Sequence, residues 1–301
     1  MTPLPIIKGH RLEPNQTVGI ISPASPVTRA EIQEGLKLLE SFPLKITFGK
    51  HVFKNMNYLA GSDYERLSDL HEMFLNPDIR AIFCARGGYG SIRLLDKIDS
   101  DLIKKNPKIL IGFSDLTALL LTINKQCGLI TIHGPTLKDL QKNENWLNLS
   151  RLISTDYRPR VFFERGKVIN KGSAKGILLG GNLSTICSLL DTPFLPSFKD
   201  IILFLEDKGE SPYRLDRMLT QLSLGNHLNR LSALIIGHME DCGEEDFIYN
   251  VLRERLSGLN VPVVTGLPVG HGRENLSLPL GLPAFLDTEQ MVLEIHESAV
   301  C

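Results

Sequence analysis

The chain has 301 residues, of which 43% are hydrophobic and 22% charged, with a formal net charge of -1 at neutral pH. This is ordinary globular usage and sets aside the disordered, fibrous and membrane-spanning classes, while the length allows one large α/β unit or two medium domains. Lysine and arginine balance the acids, so no broad basic footprint for nucleic acid or anionic lipid is present, and neither partner is expected.

The opening MTPLPIIKGHRLEPN lacks a basic start followed by a long apolar stretch and a small-residue cleavage site. The longest apolar runs elsewhere are strand-length, so cytoplasmic residence is the expectation. VGIISP (18–23) is followed by a helix from about Thr28, and KITF (45–48) by one from Ser62. Both helices open on a capping-box pattern, Thr28 with Glu31 and Ser62 with Glu65. AIFCAR (81–86), KILIGF (108–113) and ITIHG (130–134) continue as nearly all-apolar runs, the pattern of strands covered on both faces. The reading is a parallel sheet with crossover helices. Ligands bind beyond the carboxyl ends of such strands, so SPAS (22–25), RGGYG (86–90), FSDLT (113–117) and HGPT (133–136) should share one rim.

Around residues 150–175 the pattern breaks into the polar, basic RPRVFFERGKVINKGSAKG, which reads as a linker or short hairpin. Strand-like runs then resume in GILLGGN (176–182), IILFLED (201–207), ALIIGH (233–238) and VPVVTGL (261–267), with helices at 213–224 and about 245–256 and several short strands at the end. The five cysteines (Cys84, Cys127, Cys187, Cys242 and Cys301) lack any C-x-x-C pair and read as reduced thiols. No H-E-x-x-H or clustered Cys/His set calls for a metal, and GILLGGN lacks dinucleotide spacing, so no cofactor is expected.

Gly112-Phe113-Ser114-Asp115 lies between an apolar strand and a helical run, the context of a nucleophile elbow. Leu116 stands where the G-x-S-x-G pattern has its second glycine, and the competing reading is that Ser114 caps the helix. A serine nucleophile needs a base, and the base an orienting carboxylate. His133, His238 and His271 all follow strand-like runs, and the residues alone do not choose among them, although Gly270 and Gly272 suit His271 to an exposed imidazole loop. Glu206 ends a very apolar strand, where a buried acid requires a partner; Asp207 would point the opposite way. The plainer alternative is a strand-end acid paired with Arg214 or Arg217.

RGGYG (86–90), GFSDLTAL (112–119), GGNL (180–183), FLEDKGESPYRLDRMLTQL (204–222) and GHGRENLSLPLG (270–281) occur in the order found in LD-carboxypeptidases, which the chain resembles over nearly its whole length. That family includes muramoyl-tetrapeptide carboxypeptidases and microcin immunity peptidases. The resemblance implies a Ser-Glu-His triad at Ser114, Glu206 and His271. It also implies a Rossmann-like parallel-sheet N-terminal domain carrying the serine and a smaller mixed α/β C-terminal domain carrying the other two. In this sequence the division falls as 1–155 and 176–301 joined by a linker at 156–175, with the site between the domains. A homodimer is implied as well.

Triad chemistry then makes the backbone N–H groups of Asp115 and Gly88 the expected oxyanion donors, with Arg86 and Arg214 as cations for the substrate's terminal carboxylate. The implied activity is removal of the terminal D-alanine from a murein tetrapeptide in cell-wall recycling, without a cofactor. Two alternatives stand beside it. One is a peptidase of the same fold acting on microcin-type peptide-nucleotides, for which the 7% aromatic content offers no obvious stacking residue. The other is a small-molecule-binding protein that keeps the cleft without the chemistry.

Overall fold

The computed structural model describes residues 4–140, 143–163 and 165–301; Met1–Pro3 of the opening segment and Glu164 of the basic stretch lie outside the described residues. The chain forms two compact units. The first comprises Met1–Tyr157, Leu276–Gly281 and Ser298–Cys301, the second Arg158–Asn275 and Leu282–Glu297.

In the first unit β1 (Thr17–Ile21) leads through a 3-10 turn to α1 (Gln33–Ser41), and β2 (Lys45–Phe48) to α2 (Asp63–Leu75). Both expected capping boxes form. Glu65 N–H donates to Ser62 Oγ at 3.3 Å while Ser62 N–H donates to Glu65 at 2.9 Å, and Thr28 and Glu31 repeat the exchange at the start of the 3-10 turn. There follow β3 (Ile79–Cys84), α3 (Ser100–Lys105), β4 (Ile109–Gly112), α4 (Thr117–Cys127), β5 (Thr131–His133) and α5 (Asn143–Ser154). The five strands are parallel in the order β5-β4-β3-β1-β2. Ile20, Phe83, Ile111 and Ile132 project into one core with Leu36, Leu39 and Leu149, which accounts for the uninterrupted apolar runs.

The second unit opens on β6 (Arg160–Phe162) and β7 (Val168–Asn170). It continues through β8 (Ser173–Asn182), α6 (Leu183–Ser188), β9 (Ile201–Lys208), α7 (Pro212–Leu224), β10 (Ala233–Glu240), α8 (Glu245–Leu256) and β11 (Val263–Thr265). β12 (Leu278–Leu280), β13 (Pro283–Asp287) and β14 (Val292–Ile295) complete the chain. β8, β9, β10 and β11 run parallel in the centre of an eight-stranded sheet ordered β6-β14-β13-β8-β9-β10-β11-β7, and the flanking pairs are antiparallel.

Two details differ from the sequence reading. The 156–175 stretch is neither linker nor hairpin: β6 pairs with β14 and β7 with β11, so its two short strands close opposite edges of one sheet. Residues 176–301 are also not one contiguous body, because β12 adds antiparallel to β5 and belongs to the first unit. No helix among the described residues is long and apolar enough to cross a membrane.

Candidate active site

At the end of β4 the chain reverses sharply. Phe113 is extended, whereas Ser114 takes φ 64°, a left-handed value that non-glycine residues rarely adopt. Gly112 makes the reversal feasible, since a Cβ there would come within 2.6 Å of the Leu116 side chain folded back over it. Leu116 thus occupies the second-glycine place of the elbow pattern because the first glycine leaves it room. Ser114 lies inside a 3-10 turn, Ser114–Leu116, and neither that turn nor α4 has a side-chain cap at its N-cap residue. Ser114 thus stands at a left-handed backbone corner at the head of that turn.

The glycine-rich loop after β3 lies against this corner. A Cβ on Gly87 would come within 3.0 Å of Ser114 Cβ, and Gly88 and Gly90 take φ 102° and 124°. Ser25, in the loop after β1, donates its N–H to Gly87 C=O at 3.2 Å and accepts Tyr89 N–H on Oγ at 3.1 Å. Asp115, almost wholly buried, accepts N–H bonds from Gly90 (3.3 Å) and Ser91 (2.9 Å) on its carboxylate. Burial pushes its carboxyl above the usual range, against the opposing pull of these donors and of Arg66.

In the second unit, strand alternation sends the side chains at the end of β9 to opposite faces. Glu206 is fully buried, and its Oε2 lies 2.7 Å from Nδ1 of His271, whose side chain remains 16% exposed. Two glycines make the pocket: a Cβ on Gly270 would come within 2.5 Å of Glu206 Oε2, and one on Gly237 within 3.3 Å of Glu206 Cβ. Gly270 has φ 113° and donates its N–H to Asn275 Oδ1 at 2.9 Å, which folds the histidine loop back on itself. Asp207 faces the other way, accepting from Asn182 Nδ2 (3.0 Å), Ser184 N–H (2.8 Å) and Lys208 N–H (2.8 Å). Burial raises this carboxyl too, helped by the charge of Glu206.

The contact with Glu206 singles out His271 among the three histidines. His133 is completely buried and packs edge-on against Phe113, with ring centroids 6.0 Å apart. His238 lies beneath the histidine loop, its ring within 2.8 Å of where a Cβ on Gly272 would stand. The arginine pairing proposed for Glu206 does not form: Arg214 approaches Glu210 at 3.4 Å, and Arg217 lies over the Tyr213 ring. Arg86 donates to Pro26 C=O at 3.0 Å and faces Glu31 at 3.8 Å. Sequence reasoning gave no role to Asn182, Asn275 or the Asp115 side chain, and placed Ser25 only on the shared rim, within SPAS (22–25).

The comparisons with known proteins match these two units separately. The LD-carboxypeptidase N-terminal domain model matches residues 18–134, and the C-terminal domain model residues 175–286. The chain belongs to the LD-carboxypeptidase family. It is 35% identical to the probable murein peptide carboxypeptidase of Bacillus subtilis, over 96% of this chain and 94% of that one. To the murein tetrapeptide carboxypeptidase of Pseudomonas aeruginosa it is 34% identical, over 91% and 94%. The microcin C7 self-immunity protein MccF of Escherichia coli is 30% identical over 93% of each chain. A solved structure of MccF in complex with glutamyl sulfamoyl guanosine superposes with a TM-score of 0.91 at 28% identity, covering 98% of this chain and 99% of that one. The protein is thus a serine peptidase of α/β architecture, and the non-catalytic binding protein is set aside.

Proposed function

We propose that this enzyme is a cytoplasmic LD-carboxypeptidase that removes the terminal D-alanine from murein tetrapeptides, with Ser114, His271 and Glu206 acting together. The observation that carries the reading is the buried Glu206 carboxylate 2.7 Å from His271 Nδ1. A proton on Nδ1 held by that carboxylate leaves Nε2 as the base. In the proposed mechanism, Nε2 takes the Ser114 proton as Oγ attacks the carbonyl of the L-diamino acid. The oxyanion is met by the N–H groups of Asp115 and Gly88. Collapse then expels D-alanine, whose nitrogen receives the proton from His271, and water repeats the sequence to release the tripeptide. Arg86 and Arg214 are proposed to meet the leaving residue's carboxylate. No cofactor enters the scheme.

The relatives named for murein peptides, at 34–35% identity, support this substrate class. One observation favours the second reading: Tyr58 and Tyr89 are both exposed, with ring centroids 5.8 Å apart, and Tyr89 adjoins Gly88. Such a pair suits a planar ring in the substrate. Mass spectrometry of the protein with a muramoyl tetrapeptide and with a peptidyl-sulfamoyl nucleoside decides between them. Loss of one D-alanine is the expected result, and cleavage of the nucleoside conjugate alone would transfer the assignment to the second reading. A homodimer is also proposed, for which sedimentation equilibrium should give twice the chain mass.

A further inference from the structure

The loop that carries Gly88 is gripped from both sides by two buried charges. Asp115 takes the N–H groups of Gly90 and Ser91, and the Ser91 hydroxyl returns a bond to Asp115 C=O at 2.6 Å. On the other side Arg66 Nη1 donates to Gly90 C=O at 2.9 Å and also to Pro23 C=O, in the loop after β1. Arg66 is 1% exposed and pairs through Nη2 with Asp63 at the start of α2. Asp63 in turn accepts from Arg93 at 3.0 Å. A single guanidinium thus ties α2, the β1 loop and the glycine loop into one unit.

A neutral amide could tether a loop. A planar guanidinium buried among fixed carbonyls instead imposes direction, because each donor must meet its acceptor at a set angle or remain unsatisfied. We propose that Arg66 and Asp115 are positioning residues that hold the Gly88 N–H in place as an oxyanion donor, an inference that rests on Ser114 being the nucleophile. The same residue then has two tasks: the backbone N–H of Asp115 is one donor, and its side chain fixes the loop bearing the other. This explains an aspartate directly after the serine. From the nucleophile corner its carboxylate reaches both Gly90 and Ser91 N–H.

The test uses the full chain with Asp115→Asn, Arg66→Gln and, as a milder change to the same loop, Ser25→Ala. Asparagine presents an amide donor to one of two N–H groups, so Asp115→Asn should lower kcat on the tetrapeptide by ~10²–10³, the effect of losing one oxyanion donor. KM should stay within about threefold, since the ground-state carbonyl makes little use of that donor. Affinity for a peptide boronate that adds to Ser114 should fall in step with kcat, while affinity for the product tripeptide should hold. Arg66→Gln and Ser25→Ala should follow the same pattern with smaller losses. Hydrogen exchange of residues 86–91, which needs no substrate, should quicken in each variant.

Folded Asp115→Asn and Arg66→Gln proteins with wild-type kcat and boronate affinity would overturn the proposal, as would equal losses of boronate and tripeptide binding. If Arg66→Gln does not fold, the Asp115→Asn and Ser25→Ala variants decide by the same readouts. An inactive wild type would instead sink the catalytic reading of Ser114, and the exchange rates would still report whether the two charges hold the loop.

Discussion

The serine corner of the first unit and the acid–imidazole pair of the second are built by different means. Ser114 is placed by backbone: a left-handed φ of 64°, a glycine behind it at Gly112 and a glycine loop against it. Glu206 and His271 are placed by charge and exclusion, with a fully buried carboxylate, a 2.7 Å contact and glycines at 237 and 270 that leave just enough room. A backbone-placed group can lose its side chain without harm to the fold, whereas a charge-placed one cannot lose its partner so freely. Function and stability should therefore separate in the first unit and remain tied in the second.

The largest effect follows from the first unit. Ser114→Ala should lower kcat by ~10⁶ while thermal unfolding shifts by less than about 1 kcal/mol, and Ser114→Gly should be as inactive but slightly more stable, because glycine accepts the left-handed φ. Calorimetry beside a D-alanine release assay checks both. In the second unit, Glu206→Gln should cost ~10⁴ in kcat by disturbing the imidazole tautomer. Glu206→Leu should also lose ~1–3 kcal/mol of stability by stranding the half-buried imidazole N–H, as read by urea denaturation.

Glycines sharpen the contrast further. Gly270→Ala would drive a methyl into Glu206 at φ 113°, whereas Gly209, at φ 73°, has nothing within 4 Å of an added Cβ. Gly209→Ala should cost only ~1 kcal/mol of backbone strain, and Gly270→Ala should cost more and lower kcat as well.

How much of this was legible in the residues depended on the reach of the interaction. The ends of β4 and β9 showed themselves as apolar runs closing on Ser114 and Glu206, and alternation alone sent Asp207 to the opposite face. The edge strands β6 and β7 did not, because three-residue strands with solvent on one side have neither length nor periodicity to show. β12 was equally hidden, since its place beside β5 in the other unit is a long-range choice that local pattern does not encode. The positive φ of Ser114 and the hydrogen bonds of Asn182 and Asn275 are tertiary facts, and an asparagine that satisfies a buried partner reads in sequence like any loop asparagine.

The smallest expected effect lies away from both sites. Lys108 donates to Asn76 C=O and Ile79 C=O at 2.8 and 2.7 Å, and burial lowers its ammonium to about 8 from 10.5. Between those values the unfolded chain holds the proton that the folded chain has released, so stability should rise with pH across the window from about 8 to 10.5. Lys108→Met should remove that slope in urea denaturation series, leaving the chemistry of both units untouched.

The proposal that Ser114, Glu206 and His271 act as a single catalytic device is tested most directly by a kinetic mutant cycle. Turnover of the tetrapeptide would be measured for Ser114→Ala, His271→Ala and the double variant, with wild-type folding established by circular dichroism. Groups that act as one unit are strongly non-additive, so the double variant should be no slower than either single variant within about threefold. Losses that multiply in the double variant would contradict the account, as would a His271→Ala protein that retains wild-type turnover.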